Sequence, residues 1–476
     1  MAGTTKIATD RLPPRKPDDL LDRDREWMRL SDEVLAPGPG LILVLGRRRA
    51  GKSFLLTRFA HAAGGFYYQA TRKSDQEQLK TLSQRLADHF DDASLKHTVF
   101  PDWDSLLGWL RQKVANEPFT LVLDEFPYLA DASPALTSIL QSWWDHDLTD
   151  SRITLILSGS HVSAMKKLVD VDQPLYGRRT ARLDIRPFDF HDAARFVPDW
   201  SPRDKLRLYG IFGGMPGHLA LVDASRSLKE NVARQLLDST GRLHDEAIHA
   251  FDAFVSDADV HYSIVDAIAG GERRWSRISS RVGRQTSALS RPLDWLVDME
   301  IVKRTAPLEG GKKPSPKRSL YHVTDPYFNF WHTFIADIRQ RGLSELVDPQ
   351  DLWDRFIAPR LDDYMGGVFE TACRQFVMRG EHALLPFRPM EVGSWWNSDS
   401  TEEVDVVAVD GQGALLVGEC KWGAANARDI DTLRRRADLV AAQSKDIRAM
   451  HLVMFGDGPA ADGVIHVPME ALFEGA

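Results

Sequence analysis

The octapeptide Gly46-Arg47-Arg48-Arg49-Ala50-Gly51-Lys52-Ser53 constrains this chain more than any other stretch. It fits the spacing G-x-x-x-x-G-K-[ST], which composition alone produces on the order of a few per cent of the time at this length. Its flanks narrow the reading further. The apolar run "LILVL" leads in, and "SFLLTRFAHAA", with helical spacing, leads out. A strand, a glycine-bearing turn and a helix start, in that order, surround an anion with backbone N–H groups at a helix N-terminus. Gly46 through Gly51 then wrap phosphates, Lys52 reaches the β- and γ-phosphates, and Ser53 offers its hydroxyl to magnesium. ATP and Mg2+ are the ligands this pattern predicts, against the plain alternative of a Gly-rich turn.

A nucleotide site needs an acid on a neighbouring strand. "FTLVLDEF" supplies one, with Asp124 placed to hold magnesium and Glu125 to orient an attacking water. A third apolar run, "RITLILSGS", ends on Ser158 and Ser160, either of which can sense a γ-phosphate or close a Ser-Gly turn. "YGRRT" sets Arg178 and Arg179 before a further strand, to stabilise transition-state charge or to form a structural ion pair. Short continuous apolar runs alternating with amphipathic stretches predict a parallel sheet covered on both faces, an α/β domain.

The 476 residues suit about three domains. No apolar run approaches the ~20 residues of a bilayer span, and the polar, Pro-rich start "TDRLPPRKPDDL" has no signal-peptide core. Two cysteines, Cys373 and Cys420, make no disulfide framework and fit a reducing cytoplasm. Net charge is −8, so the chain is not basic all over. Residues 271–319 are: twelve Lys and Arg stand against five Asp and Glu, a local +7.

Together these motifs resemble the archaeal-type ATPase family, close to the AAA and STAND ATPases. "DRDREW" is similar to the family's acidic segment before the first strand, with Arg23 at its arginine. "LDEFPYL", "LSGSHVSAM" and "PLYGRRT" are similar as well. "FGGMP" matches a Gly-Gly-x-Pro segment, and the resemblance implies that Gly214 and Pro216 lie near the base; read alone, the segment simply breaks a helix. "RRRA" inside the phosphate loop is unusually basic for the family. The resemblance implies an ATP-driven switch or motor and leaves its client open.

In the basic stretch, three helical segments and a Gly- and Lys-rich loop before "LYHV" predict a winged helix-turn-helix. Its turn at Gly283 presents Arg284, Gln285, Thr286 and Ser287 to phosphates or base edges, and Leu289, Leu293, Leu296 and Val297 form its core. A basic wing also serves as a lid or a solvated face. In the last part, "EEVDVVAV" and "GALLVGECKW" flank the turn residues Asp410, Gly411 and Gly413, predicting a hairpin. Glu419 and Lys421 share one strand face, and Asp405 stands about as far before the turn as Glu419 stands after it. Two carboxylates and an ammonium around one point suit a hard cation and phosphodiester chemistry.

With Glu370 on "YMGGVFETACRQF", this pattern resembles the PD-(D/E)XK nuclease core. That resemblance gives Glu370, Asp405, Glu419 and Lys421 catalytic roles, with Asp405 and Glu419 as metal ligands. Nucleic-acid binding without cutting, or a charge network holding the hairpin, are the alternatives. Trp395 and Trp396 either stack on bases or belong to the core.

The expected architecture is a multidomain α/β chain. A flexible arm spans 1–20 and a P-loop NTPase parallel sheet 21–190. A helical lid follows at 191–255, a winged helix at 256–345 and a small α/β restriction-endonuclease-like domain at 346–476. The expected activity couples ATP hydrolysis to DNA binding and metal-dependent DNA cleavage; the alternative is a STAND-like switch whose last domains bind partners without cutting. DNA is the expected partner, a second copy or another protein is a further one, and no membrane is expected.

Overall fold

A computed structural model describes residues 12–95, 99–252, 257–309, 318–380, 382–444 and 447–474. The chain divides into two compact units, one ending at Arg186 and the other beginning at Pro187. Most of the expected N-terminal arm, and the wing lysines Lys312, Lys313 and Lys317, lie outside the described residues.

The first unit is built on five strands: β1 (Gly40–Leu45), β2 (Phe66–Gln69), β3 (Phe119–Asp124), β4 (Ile153–Gly159) and β5 (Ala181–Asp184). They run parallel in the order β2-β3-β4-β1-β5. Every residue of β1, β3 and β4 is buried, which is why these strands read as unbroken apolar runs. β2, "FYYQ", has no such run and is not visible as a strand in the sequence. The order puts the tips of β1, β3 and β4 side by side, so the loops leaving them converge.

The second unit starts with helices from Phe190 onward and then carries three helices, Ala258–Ala269, Trp275–Val282 and Thr286–Asp298. An antiparallel ribbon follows, β6 (Val302–Thr305) with β7 (Leu320–Val323). The third helical segment that the sequence pattern predicts, "TSALSRPLDWLVDMEIVKR", ends as a helix at Asp298, and its last residues enter β6. Leu289, Leu293 and Leu296 are buried beneath that helix, but Val297 is 37% exposed and is not core. One residue past Leu296 is about 100° around the helix, which turns Val297 off the buried stripe.

A long helix, Ala358–Arg379, precedes a mixed sheet in the order β12-β11-β10-β9-β8. Its strands are β8 (Glu391–Trp396), β9 (Glu403–Val409), β10 (Ala414–Cys420), β11 (Ala449–Phe455) and β12 (Val464–Val467). β9 and β10 are antiparallel about the turn where Gly411 (φ 75°) and Gly413 (φ 107°) take left-handed backbone. β10 and β11 run parallel, and the connecting helix Ala427–Gln443 packs Ile430, Leu433, Ala437 and Val440 onto Val407, Leu415 and Val417. Trp395 and Trp396 are buried, so they are core residues. Among the described residues no helix is long and apolar enough to cross a membrane.

Candidate nucleotide site and a second carboxylate centre

The phosphate loop joins β1 to the helix Lys52–Ala62. Gly46 leaves the strand at φ 156°, and a Cβ there would come within 2.5 Å of the Ile185 carbonyl, so only glycine fits. Gly51 caps the helix at φ 89°. Arg49 also takes left-handed backbone, and Arg48 is exposed. Arg23 lies buried beneath the loop: its guanidinium donates to the Ala50 carbonyl at 3.1 Å and to the Arg186 carbonyl at 2.7 Å.

Lys52 is buried and donates to the Gly46 carbonyl (2.7 Å), the Arg47 carbonyl (3.1 Å) and Ser160 Oγ (2.9 Å). Burial lowers its pKa, and the nearby Glu125 and Asp124 only partly oppose that. Ser160 Oγ in turn donates to Glu125 Oε1 at 2.5 Å, and its backbone N–H donates to Oε2 at 3.1 Å. Glu125 has φ 52°, a strained conformation for a glutamate, costing on the order of 1–3 kcal/mol. Two hydrogen bonds from the tip of β4 hold it there. Ser158 sits inside the sheet opposite Val44, fully buried, with a hydroxyl that makes no hydrogen bond. Of the two serines, Ser160 reaches the loop.

Asp124 is wholly buried at the end of β3. Its Oδ2 accepts from Ser53 Oγ (2.6 Å) and from Tyr67 Oη (2.7 Å), and its Oδ1 accepts from the Glu125 N–H (3.0 Å). Tyr67 was not visible as a site residue in the sequence. It comes from β2, whose register sets Gln69 beside Asp124 and so puts Tyr67 and Asp124 on one sheet face. Burial first, then Asp124, raises the Tyr67 pKa, so the phenol stays a donor. A serine hydroxyl beside an ionisable carboxylate is a hard-oxygen donor set, and it fits magnesium.

The second centre is in the C-terminal sheet. The β9–β10 register runs to Val406 opposite Gly418, and the next positions are Asp405 and Glu419. Asp405 Oδ2 accepts from the Cys420 N–H at 2.8 Å. Burial first, then Glu370 and Glu419, push the Asp405 carboxyl up to about 8. Glu370, on the 358–379 helix, is also raised, by burial and by Glu403 against the pull of Arg374. Lys421 Nζ lies 3.3 Å from Glu419 and 3.2 Å from Asp429. Burial works to lower the lysine, but these two acids together raise it.

Two arginines that no local spacing in the sequence marks complete the centre. Arg374 donates to the Asp405 carbonyl at 2.7 Å and pairs with Glu370 at 3.6 Å. Arg436 grips both oxygens of Glu419, at 3.1 and 2.8 Å. Asp405 suits a hard cation, whereas Glu419 would have to exchange Arg436 for one. Among the described residues no group of three or more His, Cys, Asp or Glu is arranged to hold a metal ion.

Residues 20–222 match a family described as an ATPase domain predominantly from Archaea. The chain carries an archaeal-type ATPase domain. Residues 331–433 match a second family, described as "Archaea bacterial proteins of unknown function", and this span includes Glu370, Asp405, Glu419 and Lys421. An uncharacterized protein of Methanocaldococcus jannaschii is 26% identical over 421 residues, covering 87% of this chain and 90% of that one. The Walker-type ATPase of Pyrococcus abyssi aligns at 21% identity and TM-score 0.49, over 68% of this chain and 99% of that one. The ORC2 protein of Aeropyrum pernix, in ADPNP–ADP complexes, aligns at 15% identity and TM-score 0.41, over 71% and 98%.

Within the ATPase domain the remaining expected residues fall in three places. Arg178 is committed to a bidentate pair with Asp145, at 2.8 and 2.6 Å, the structural alternative open from the sequence. Arg179 is exposed. Gly214 and Pro216 belong to the second unit, where Gly214 closes tightly on the Phe188 backbone and Pro216 opens a short helix.

Proposed function

We propose that this chain is a magnesium-dependent ATPase that couples its nucleotide state to DNA. The observation that carries the ATPase reading is the relay Lys52–Ser160–Glu125 beside the Ser53–Asp124 pair. Backbone N–H groups of the loop hold the phosphates at the start of the 52–62 helix, and Lys52 supplies an ammonium to the γ-phosphate. Ser53 and Asp124 are the residues that would hold magnesium, which supplies charge neutralisation at the β- and γ-phosphates when bound. Glu125, fixed by Ser160, orients the attacking water and draws off its proton.

The test is Mg-dependent ATP hydrolysis by the full chain. Lys52→Ala should abolish turnover, and Glu125→Gln should cut kcat by about 100-fold or more while nucleotide still binds. Unchanged turnover in both variants would sink the reading.

In the domain scheme that goes with this proposal, 21–190 is the ATPase sheet, 191–255 a lid, 256–345 a winged helix that contacts DNA, and 346–476 a PD-(D/E)XK-like cleavage domain. The support for cleavage is the crowding of Glu370, Asp405 and Glu419, whose repulsion a divalent cation would relieve. Plasmid nicking with magnesium or manganese should then vanish in Asp405→Ala and Lys421→Ala. A second reading, an ATP switch that binds without cutting, is favoured by the Arg436 grip on Glu419. Wild type that cuts no nucleic acid with either metal decides for it.

A further inference from the structure

The second unit places the basic ribbon against β8, the strand that neighbours β9 of the carboxylate centre. The main chain joins them: Leu308 N–H donates to the Ser394 carbonyl of β8 at 2.8 Å. Trp396 Nε1 donates to the Arg318 carbonyl at 3.2 Å, and the Arg318 guanidinium returns a bond to the Trp396 carbonyl. Arg274 reaches Ser400 at 3.2 Å, beyond the end of β8. On the ribbon, Lys303 is paired with His322, and Tyr321 N–H donates to the Arg273 carbonyl at 2.8 Å. Arg273 and Lys303 are exposed, and the half-buried Arg374 holds the Asp405 main chain.

The cations of the ribbon side therefore border the carboxylates. Arg273, Arg374 and Lys303 all lie close enough to His322 to add to the effect of its burial, which pushes it down to about 3, so three cations gather around one point of the ribbon. On the sheet side, Asp405 and Glu419 stand at adjoining positions of β9 and β10, and Arg374 bridges Glu370 to the Asp405 main chain. A cationic rim bordering an acidic centre holds a polyanion along the rim and brings one of its groups to the acids.

We propose that Arg273, Lys303 and Arg374 bind successive phosphates of one DNA strand and lead it onto Asp405 and Glu370, so that ribbon and sheet form a single nucleic-acid site. This rests on the reading that the carboxylate centre acts on DNA. Arg374 is the joint: its one guanidinium lies near His322 of the ribbon and also holds Glu370 and the Asp405 carbonyl.

The test is fluorescence anisotropy of the full chain with a labelled 20-mer, single-stranded and duplex, in EDTA across a salt series. Arg273→Gln/Lys303→Gln should weaken binding about tenfold and flatten the log K against log salt slope by about 1.4 to 1.8, two phosphates' worth. With the series repeated at about pH 9, where the Asp405 carboxyl has lost its proton, Asp405→Asn should tighten binding several-fold by removing a negative charge beside the strand. Arg226→Gln, an exposed arginine elsewhere in the unit that pairs with Asp223, should change neither quantity. Wild-type binding that the double variant leaves unaltered overturns the shared site and spares the DNA reading. Binding weakened by the double variant but indifferent to Asp405→Asn at that pH shows a strand that never reaches the acids, and also overturns it. If wild type binds neither probe, both readings fall together.

Discussion

Replacing Asp405 by Asn should make the C-terminal sheet more stable near neutral pH, although it removes the residue proposed for cleavage. Burial, Glu370 and Glu419 push this carboxyl from an ordinary 3.8 to about 8. The sign follows from proton uptake. Between about pH 4 and about pH 8 the unfolded chain has lost this proton and the folded chain keeps it, so stability falls as pH rises, by up to ~1.4 kcal/mol per unit. The full rise corresponds to about 6 kcal/mol at that rate. Asp405 and Glu370 share the proton and the site is partly solvated, so about 1–3 kcal/mol is expected for the substitution.

Hydrogen exchange of peptides covering β9 and β10 in the full chain reads this locally. Near pH 8, Asp405→Asn should slow exchange there by about 5- to 150-fold. After correction for intrinsic rates, wild-type protection should decline from about pH 6 to about pH 8 while the variant stays level. Exchange in the Asn variant as fast as in wild type at the upper end of that range would show that Asp405 ionises as an ordinary surface acid, and the reasoning would fail.

Three further outcomes come from the nucleotide site. Ser160→Ala removes one of three acceptors of Lys52 and one donor to Glu125, and should lower kcat about 10- to 100-fold while nucleotide affinity, from titration with a fluorescent analogue, moves less than about 3-fold. Tyr67→Phe leaves Asp124 with one hydroxyl donor fewer and should raise the magnesium concentration for half-maximal turnover about tenfold, with Tm little changed. Arg178→Ala breaks a partly exposed pair with Asp145, so ATPase activity should stay within about 2-fold and stability within about 1 kcal/mol.

What the sequence discloses and what it hides follows from how the chain brings residues together. The phosphate loop is legible because all eight residues are contiguous, and Asp124 because it ends an apolar run. The hairpin is legible because its turn sets Asp405 against Glu419 by simple counting. Tyr67 is hidden because its meeting with Asp124 depends on β2 lying beside β3, a fact of sheet order that no local spacing carries. Arg436 is hidden for a related reason. It is one of three consecutive arginines, and only the crossover helix between β10 and β11 decides which of them faces Glu419. β12, four residues long, offers too short a pattern to register.

Ser160 has one hydroxyl proton, and that number has a consequence. The proton points at Glu125, so the oxygen's lone pairs are what Lys52 finds. The hydroxyl can take the lysine's hydrogen only while its own goes to the glutamate. Turning it toward Lys52 would set a donor against a donor and leave Glu125 Oε1 without that bond. The ammonium at the phosphates and the carboxylate that orients water are thus aligned through a single oxygen.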